Sequence, residues 1–164
     1  EWARTQTNGI EFKPRKVDFY QLVLNSISTL QRNADEKEIV IENRIEKSIS
    51  LQADYEMLET VVRNLVNNSI KFTHRGGKII LTSYFSDEEL ITSIQDTGVG
   101  IETENIEKLF HIDSHLKTRG TNYESGTGLG LVICKEFIDF HKGAIWAEST
   151  PGKGSVFYFS VPAG

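Results

Sequence analysis

Two strand-like runs, KIILTSYF (78–85) and ELITSIQD (89–96), are separated only by Ser86-Asp87-Glu88. A connection that short cannot return the chain to a parallel partner, which needs a crossover of a dozen residues or more. The two runs are therefore expected to pair as an antiparallel hairpin. The other strand-like runs also come two by two: EIVIEN (38–43) with ISLQA (49–53), and AIWAES (144–149) with GSVFYFSVP (154–162), the last pair joined by Thr150-Pro151-Gly152-Lys153. Three stretches of helical period lie between the pairs. The first covers 17–31, with Phe19, Leu22, Val23, Ile27 and Leu30 on one face. The second follows Asp54, a capping residue, carries Leu58, Val61, Val62, Leu65 and Ile70, and ends at Gly76-Gly77. The third covers 127–140, with Leu129, Val132, Ile133, Phe137 and Phe140. ETENIEKLF adds a short helix, and 111–125 is a polar loop without period, of a length that in compact domains is usually functional. Paired strands between helices predict an α+β fold: a mixed, mostly antiparallel sheet with three main helices on one face.

Bulk properties narrow the function classes. The 164 residues suit one domain, and 38% hydrophobic residues supply its core. A net charge of −5 gives no basic footprint for nucleic acid. The single cysteine, Cys134, rules out an internal disulfide framework; it lies on an apolar helix face and reads as a small core residue. No apolar run approaches the roughly 20 residues of a membrane span.

The glycine-rich stretch SGTGLGL (125–131) introduces a helix, the arrangement of an anion site. It matches neither common phosphate motif. The dinucleotide fingerprint G-x-G-x-x-G needs a third glycine where Leu131 stands, and a strand just ahead; the P-loop needs Gly-Lys-Ser or Gly-Lys-Thr, which the chain lacks. Two further stretches join it. In NLVNNSIKFT (64–73), Asn64, Asn68 and Lys71 share one helix face, either a solvated polar face or an amide oxygen for a metal ion with a cation for phosphate beside it. In DTGVG (96–100), Asp96 leaves a core strand, so its carboxylate needs a donor, and an exocyclic amine would supply one. Gly98 and Gly100 would let a flat ring approach the backbone.

The ordered set NLVNNSIKFT, DTGVG, SGTGLGL and TPGKGS resembles the N, G1, G2 and G3 boxes of sensor histidine kinases, whose catalytic ATP-binding domain belongs to the gyrase, Hsp90, histidine kinase and MutL superfamily. The resemblance covers nearly all of 17–162 and implies a two-layer α/β sandwich of the Bergerat type; residues 1–16 would be the end of a preceding dimerisation helix and a linker. It implies that Asp96 accepts from the adenine amine and that Asn68 ligates Mg²⁺, a hard ion that keeps most of its waters. Lys71 would contact phosphate, and Gly126, Gly128 and Gly130, with Thr127 and Leu129, would face the triphosphate. Phe72, Gly98, Gly100 and Ile101 would complete the nucleotide contacts, and the loop 111–125 would be a lid, with Lys117 and Arg119 as candidate phosphate contacts.

The implied activity is transfer of the γ-phosphate of Mg-ATP to a histidine of a dimerisation domain of the same parent, with a response regulator receiver domain downstream. The implied setting is cytoplasmic, in a parent of a family that often holds membrane receptors; the chain itself is expected to be monomeric. Asn64 carries weight here, because hydrolytic branches of the superfamily place a glutamate general base four residues before the metal asparagine. An amide cannot take a proton at neutral pH, and such assistance is worth about 10²–10⁴-fold. Asn64 would instead orient the attacking imidazole. An ATP hydrolase and a non-catalytic nucleotide-binding scaffold remain the alternatives; a serine kinase of the anti-sigma type usually keeps the glutamate. Two departures stand out. KLFHIDSHLKTRG has Phe110 but not the family's F-x-P-F, and His74, His111, His115 and His141 lack the acceptor motif and read as surface or lid residues.

Overall fold

The computed structural model describes residues 9–111, 120–121 and 129–164. Strand β1 (Arg15–Asp18) runs into helix α1 (Phe19–Glu36), followed by β2 (Val40–Asn43) and β3 (Ser50–Ala53). Helix α2 (Tyr55–Phe72), strands β4 (Lys78–Ser86) and β5 (Glu89–Asp96) and the short α3 (Thr103–Ile106) come next. Helix α4 (Gly130–Phe140), β6 (Ala144–Thr150) and β7 (Gly154–Pro162) complete the described elements.

The main sheet has the order β2-β4-β5-β7-β6, and β1 pairs with β3 in a separate two-stranded sheet. The expected hairpin forms: β4 and β5 pair antiparallel with Leu81 opposite Ile94, and the register runs to Ser86 opposite Glu89. The turn is therefore Asp87-Glu88, one residue shorter than expected, and Asp87 takes a positive φ of 55°. Alternation sends Ile79, Leu81, Leu90, Ile94, Phe157, Phe159 and Val161 inward, all buried. Helices α1, α2 and α4 cover that face. The middle helix, α2, packs on both α1 and α4 as well as on β5. Both of its flanks are thus consumed: Leu58, Val61, Val62 and Leu65 are fully buried. Each such side chain contributes about 1.5–3 kcal/mol relative to exposure. Asn64, Asn68 and Lys71, each half-buried, stand on the strip left over.

Three expectations are corrected. Helix α1 does not span 17–31: Val17 lies in β1, Asp18 caps the helix by accepting from the Gln21 N–H at 3.0 Å, and the last turns run on to Glu36. The apolar stripe continues through buried Ala34, a small residue in a polar stretch. The runs 38–43 and 49–53 do not pair with each other. Strand β2 lies parallel to β4, with α2 in the crossover, and β3 pairs with β1. The third helix is described from Gly130, not from 127. Ahead of β1, the Lys13 N–H donates to Asp54 at 2.9 Å.

Cys134 is fully buried, as its helix face implied, and burial pushes its thiol up to about 12. The reading of all four histidines as surface or lid residues fails at His141, which is only 5% exposed. Its position at the end of α4 sets the ring against Asp54, the cap of α2. His115 lies outside the described residues.

Candidate nucleotide site

Asp96 ends β5 and is 5% exposed. Its Oδ1 accepts from the Gly98 N–H at 2.9 Å and from the Ser155 N–H at 3.2 Å. Burial pushes the carboxyl above its ordinary 3.8, opposed by those two N–H groups and, less strongly, by the neighbouring Ser69 hydroxyl. Among the described residues the buried Ser69 oxygen has no partner of hydrogen-bonding geometry. Among the described residues both well-formed hydrogen bonds land on Oδ1. A second acceptor oxygen is left beside them.

The turn after Asp96 is clamped on two sides. The Val99 N–H donates to the Phe72 carbonyl at 3.0 Å, at the end of α2. The Gly152 N–H donates to the Val99 carbonyl at 2.7 Å, and the Ile101 N–H donates to the Ser149 hydroxyl at 2.7 Å. Close approach explains the glycines. A Cβ on Gly98 would strike the Phe72 carbonyl and the Asp96 carboxylate, and one on Gly100, at φ 76°, would strike the Thr150 carbonyl. These two positions therefore serve the turn itself, which adds a structural reason to the expected ring approach.

Helix α2 brings the polar strip to this turn. The Asn64 Nδ2 donates to the Thr60 carbonyl at 2.8 Å, one turn back. Its Oδ1 lies beside the start of α4: a Cβ on Gly130 would stand only 3.2 Å from it. Gly130 thus lets the start of α4 press against Asn64. Leu129 stands at the N-terminus of α4, and the backbone N–H groups of a helix start suit an anion. The Lys71 ammonium lies over the Phe72 ring, 5.0 Å from its centre. Ile101 and Phe110 pack against the core, Phe110 edge-on to Phe157 at 6.5 Å. Among the expected site residues, Asn64, Asn68, Lys71, Phe72, Asp96, Gly98, Gly100, Ile101, Leu129 and Gly130 fall on α2, on the turn after β5 or at the start of α4. Lys117, Gly126, Thr127 and Gly128 lie outside the described residues, as does Arg119.

Sequence reasoning passed over Ser69, Ser149 and Thr121. Ser69 sits inside a quoted motif and was overshadowed by Asn68. Ser149 and Thr121 matter through contacts to residues 48 to 50 positions away, which no local pattern signals.

The donor set fits a magnesium nucleotide. A buried acceptor, a glycine turn without side-chain bulk, a half-buried amide and a lysine suit base, ring, metal and phosphate in turn. No group of three or more His, Cys, Asp or Glu side chains among the described residues could hold an ion alone. A single amide with phosphate oxygens and water is sufficient for Mg²⁺.

Residues 53–164 match the family of histidine kinase-, DNA gyrase B- and HSP90-like ATPases. The chain belongs to this family. Within it, the likeness is to histidine kinases. The adaptive-response sensory kinase SasA of Thermosynechococcus vestitus is 33% identical over 98% of the chain and 42% of its own length. The nucleotide-free catalytic domain of histidine kinase ThkA superposes with a TM-score of 0.80 at 30% identity, over 94% of this chain and 97% of that one. ThkA in complex with the response regulator protein TrrA gives 0.77 at 25% identity, over 98% of this chain and 46% of that one. The two-layer α+β architecture is that of histidine kinase catalytic domains. The chain spans less than half the length of the curated relatives it matches. No described helix is long and apolar enough to cross a membrane.

Proposed function

We propose that this ATPase-family domain binds Mg-ATP and presents its γ-phosphate to a histidine on a dimerisation domain of the parent protein, in a two-component pathway. The observation that carries the reading is the buried Asp96, with Oδ1 engaged by two backbone donors and a second oxygen left for the adenine amine. Asn68 would hold Mg²⁺, which neutralises phosphate charge when bound. Lys71 would add a point charge on phosphate, and the start of α4 would supply backbone donors. Catalysis would then be mainly positioning and electrostatics.

Asn64 favours phosphotransfer over hydrolysis. Its amide is tied to the Thr60 carbonyl through Nδ2, which leaves the oxygen, beside Gly130, as the acceptor, and it is no base at neutral pH. A neutral imidazole needs no such base, because its unprotonated nitrogen is already nucleophilic. Asn64 Oδ1 could accept from the other ring N–H and hold the imidazole in line. By resemblance to the complex of ThkA with TrrA, the phosphate would pass on to a receiver domain. The domain itself is taken as monomeric, with its dimer contacts in the helices that precede it, and as facing the cytoplasm.

The test mixes the chain with Mg-ATP labelled at the γ-phosphate and a separately prepared dimerisation domain of its parent. Acid-labile, base-stable label on that domain is expected. Release of free phosphate at the same rate with and without the acceptor would favour the hydrolase, and bound ATP without either product would favour a scaffold.

A further inference from the structure

The C-terminal turn of α2 is where the candidate site is held together, and its carbonyls are shared among distant segments. The Phe72 carbonyl takes the Val99 N–H of the base-side turn. The Lys71 carbonyl takes the Thr121 N–H at 3.0 Å, and the Thr73 carbonyl takes the Thr121 hydroxyl at 3.0 Å. Between them enters Lys37, 5% exposed, from the end of α1. Its Nζ donates to the Ile70 carbonyl at 2.8 Å, to the Lys71 carbonyl at 3.2 Å and to the Thr121 hydroxyl at 2.6 Å.

An ammonium is costly to bury unless its donors are met. Here a flexible stem is also fixed at its root: the Lys37 N–H donates to the Ala34 carbonyl at 3.1 Å, and its own carbonyl accepts from the Gly76 N–H at 3.0 Å. A cation at a helix C-terminus complements the negative end of the dipole. Thr73 caps the helix, and Lys37 satisfies the Ile70 and Lys71 carbonyls of its last turn. What Lys37 adds is the link to Thr121, 84 positions away.

We infer that Lys37 and Thr121 form a positioning pair for the phosphate half of the nucleotide. Lys37 locks the last turn of α2, which carries Lys71 one turn beyond Asn68, to the Gly120-Thr121 segment. The base half hangs on Asp96, Gly98 and the Val99–Phe72 bond, to which Lys37 donates no hydrogen bond among the described residues. This inference rests on the nucleotide reading above and goes beyond it, because it assigns a division of labour at the end of α2.

The experiment compares affinities for adenosine and for a non-hydrolysable Mg-ATP analogue in four proteins: the unaltered chain, Lys37→Met, Thr121→Val and the double variant. Lys37→Met keeps the stem and removes the charge. Thr121→Val keeps the shape and removes the hydroxyl. Each single variant is expected to lose about tenfold for the ATP analogue with adenosine changed less than about twofold. The double variant should be no worse than the poorer single one, the signature of a shared interaction. Thr121→Ser, which restores the hydroxyl, should return to the affinity of the unaltered chain. Equal losses for adenosine and ATP, or additive losses in the double variant, would overturn the pairing and leave Lys37 a structural cap. If Lys37→Met does not fold, the Thr121→Val and Thr121→Ser comparison alone decides. Failure of the unaltered chain to bind either ligand would instead overturn the nucleotide reading itself.

Discussion

His141, at the end of α4, accepts the backbone N–H of Asp54, the cap of α2, on Nε2 at 3.0 Å. Its Nδ1 lies 2.7 Å from the Phe137 carbonyl. An acceptor at Nε2 and a carbonyl at Nδ1 fix the neutral tautomer with the proton on Nδ1. Phe12 closes the site edge-on, 4.8 Å between ring centres. Protonation would place two N–H groups head to head and bury a charge.

Burial accordingly lowers the His141 pKa from 6.5, against the opposing pull of the Phe137 carbonyl and the Asp54 carboxylate. The folded state then binds fewer protons than the unfolded one, so stability rises with pH. This contribution is fully present above 6.5 and is lost as pH falls from there through the folded value. Urea midpoints between about pH 5 and 8 should drop toward the acid end, and His141→Gln should flatten that slope. An unchanged slope in the variant would assign the acid sensitivity to other groups.

Gly98→Ala should damage the site and the fold together. The added methyl would meet the Phe72 carbonyl and the Asp96 carboxylate, both fixed by hydrogen bonds. A loss of about 2 kcal/mol or more is expected, with nucleotide binding abolished. Gly9→Ala is the control. At φ 89° it carries strain of about 1 kcal/mol but meets nothing within 4 Å, and nucleotide affinity should hold.

Asn64→Asp should impair phosphotransfer while ATP still binds. The new carboxylate cannot donate to the Thr60 carbonyl and would repel it. A loss of at least about tenfold in the transfer rate is expected, with little change in ATP affinity. Unchanged transfer would remove Asn64 from any orienting role.

Cys134 should not react with thiol reagents while the chain is folded. With its thiol pushed up to about 12 and its side chain fully buried, thiolate is scarce and inaccessible. Labelling should follow global unfolding as urea is raised. Rapid labelling in native buffer would show that α4 opens locally.

Much of the fold was legible because its strongest signals are local. The β4–β5 hairpin, the β6–β7 pair and α2 each announce themselves through period and turn residues. Partner choice is a different matter. Nothing in VIEN says that it will lie parallel to β4, because that pairing depends on where α2 returns the chain. Strand β1, RKVD, buries only Val17 and has too little alternation to be seen. The site divides in the same way. The burial of Asp96 was legible because a carboxylate follows a core strand directly, and the turn at Gly98 because it follows Asp96. Lys37 and His141 were not, because each acquires its meaning from a partner far along the chain. A lysine in a charged run and a histidine before another lysine read as surface until the fold buries them.

The central claim is that Asp96 receives the adenine amine. The most direct measurement is calorimetric titration with a non-hydrolysable ATP analogue, with and without Mg²⁺, of the chain and of Asp96→Asn. Loss of a charge-assisted hydrogen bond costs roughly 1.5–3 kcal/mol, about ten- to a hundredfold in affinity. Magnesium-dependent binding that weakens by that factor in the variant is the predicted result. Equal affinity in chain and variant would contradict it.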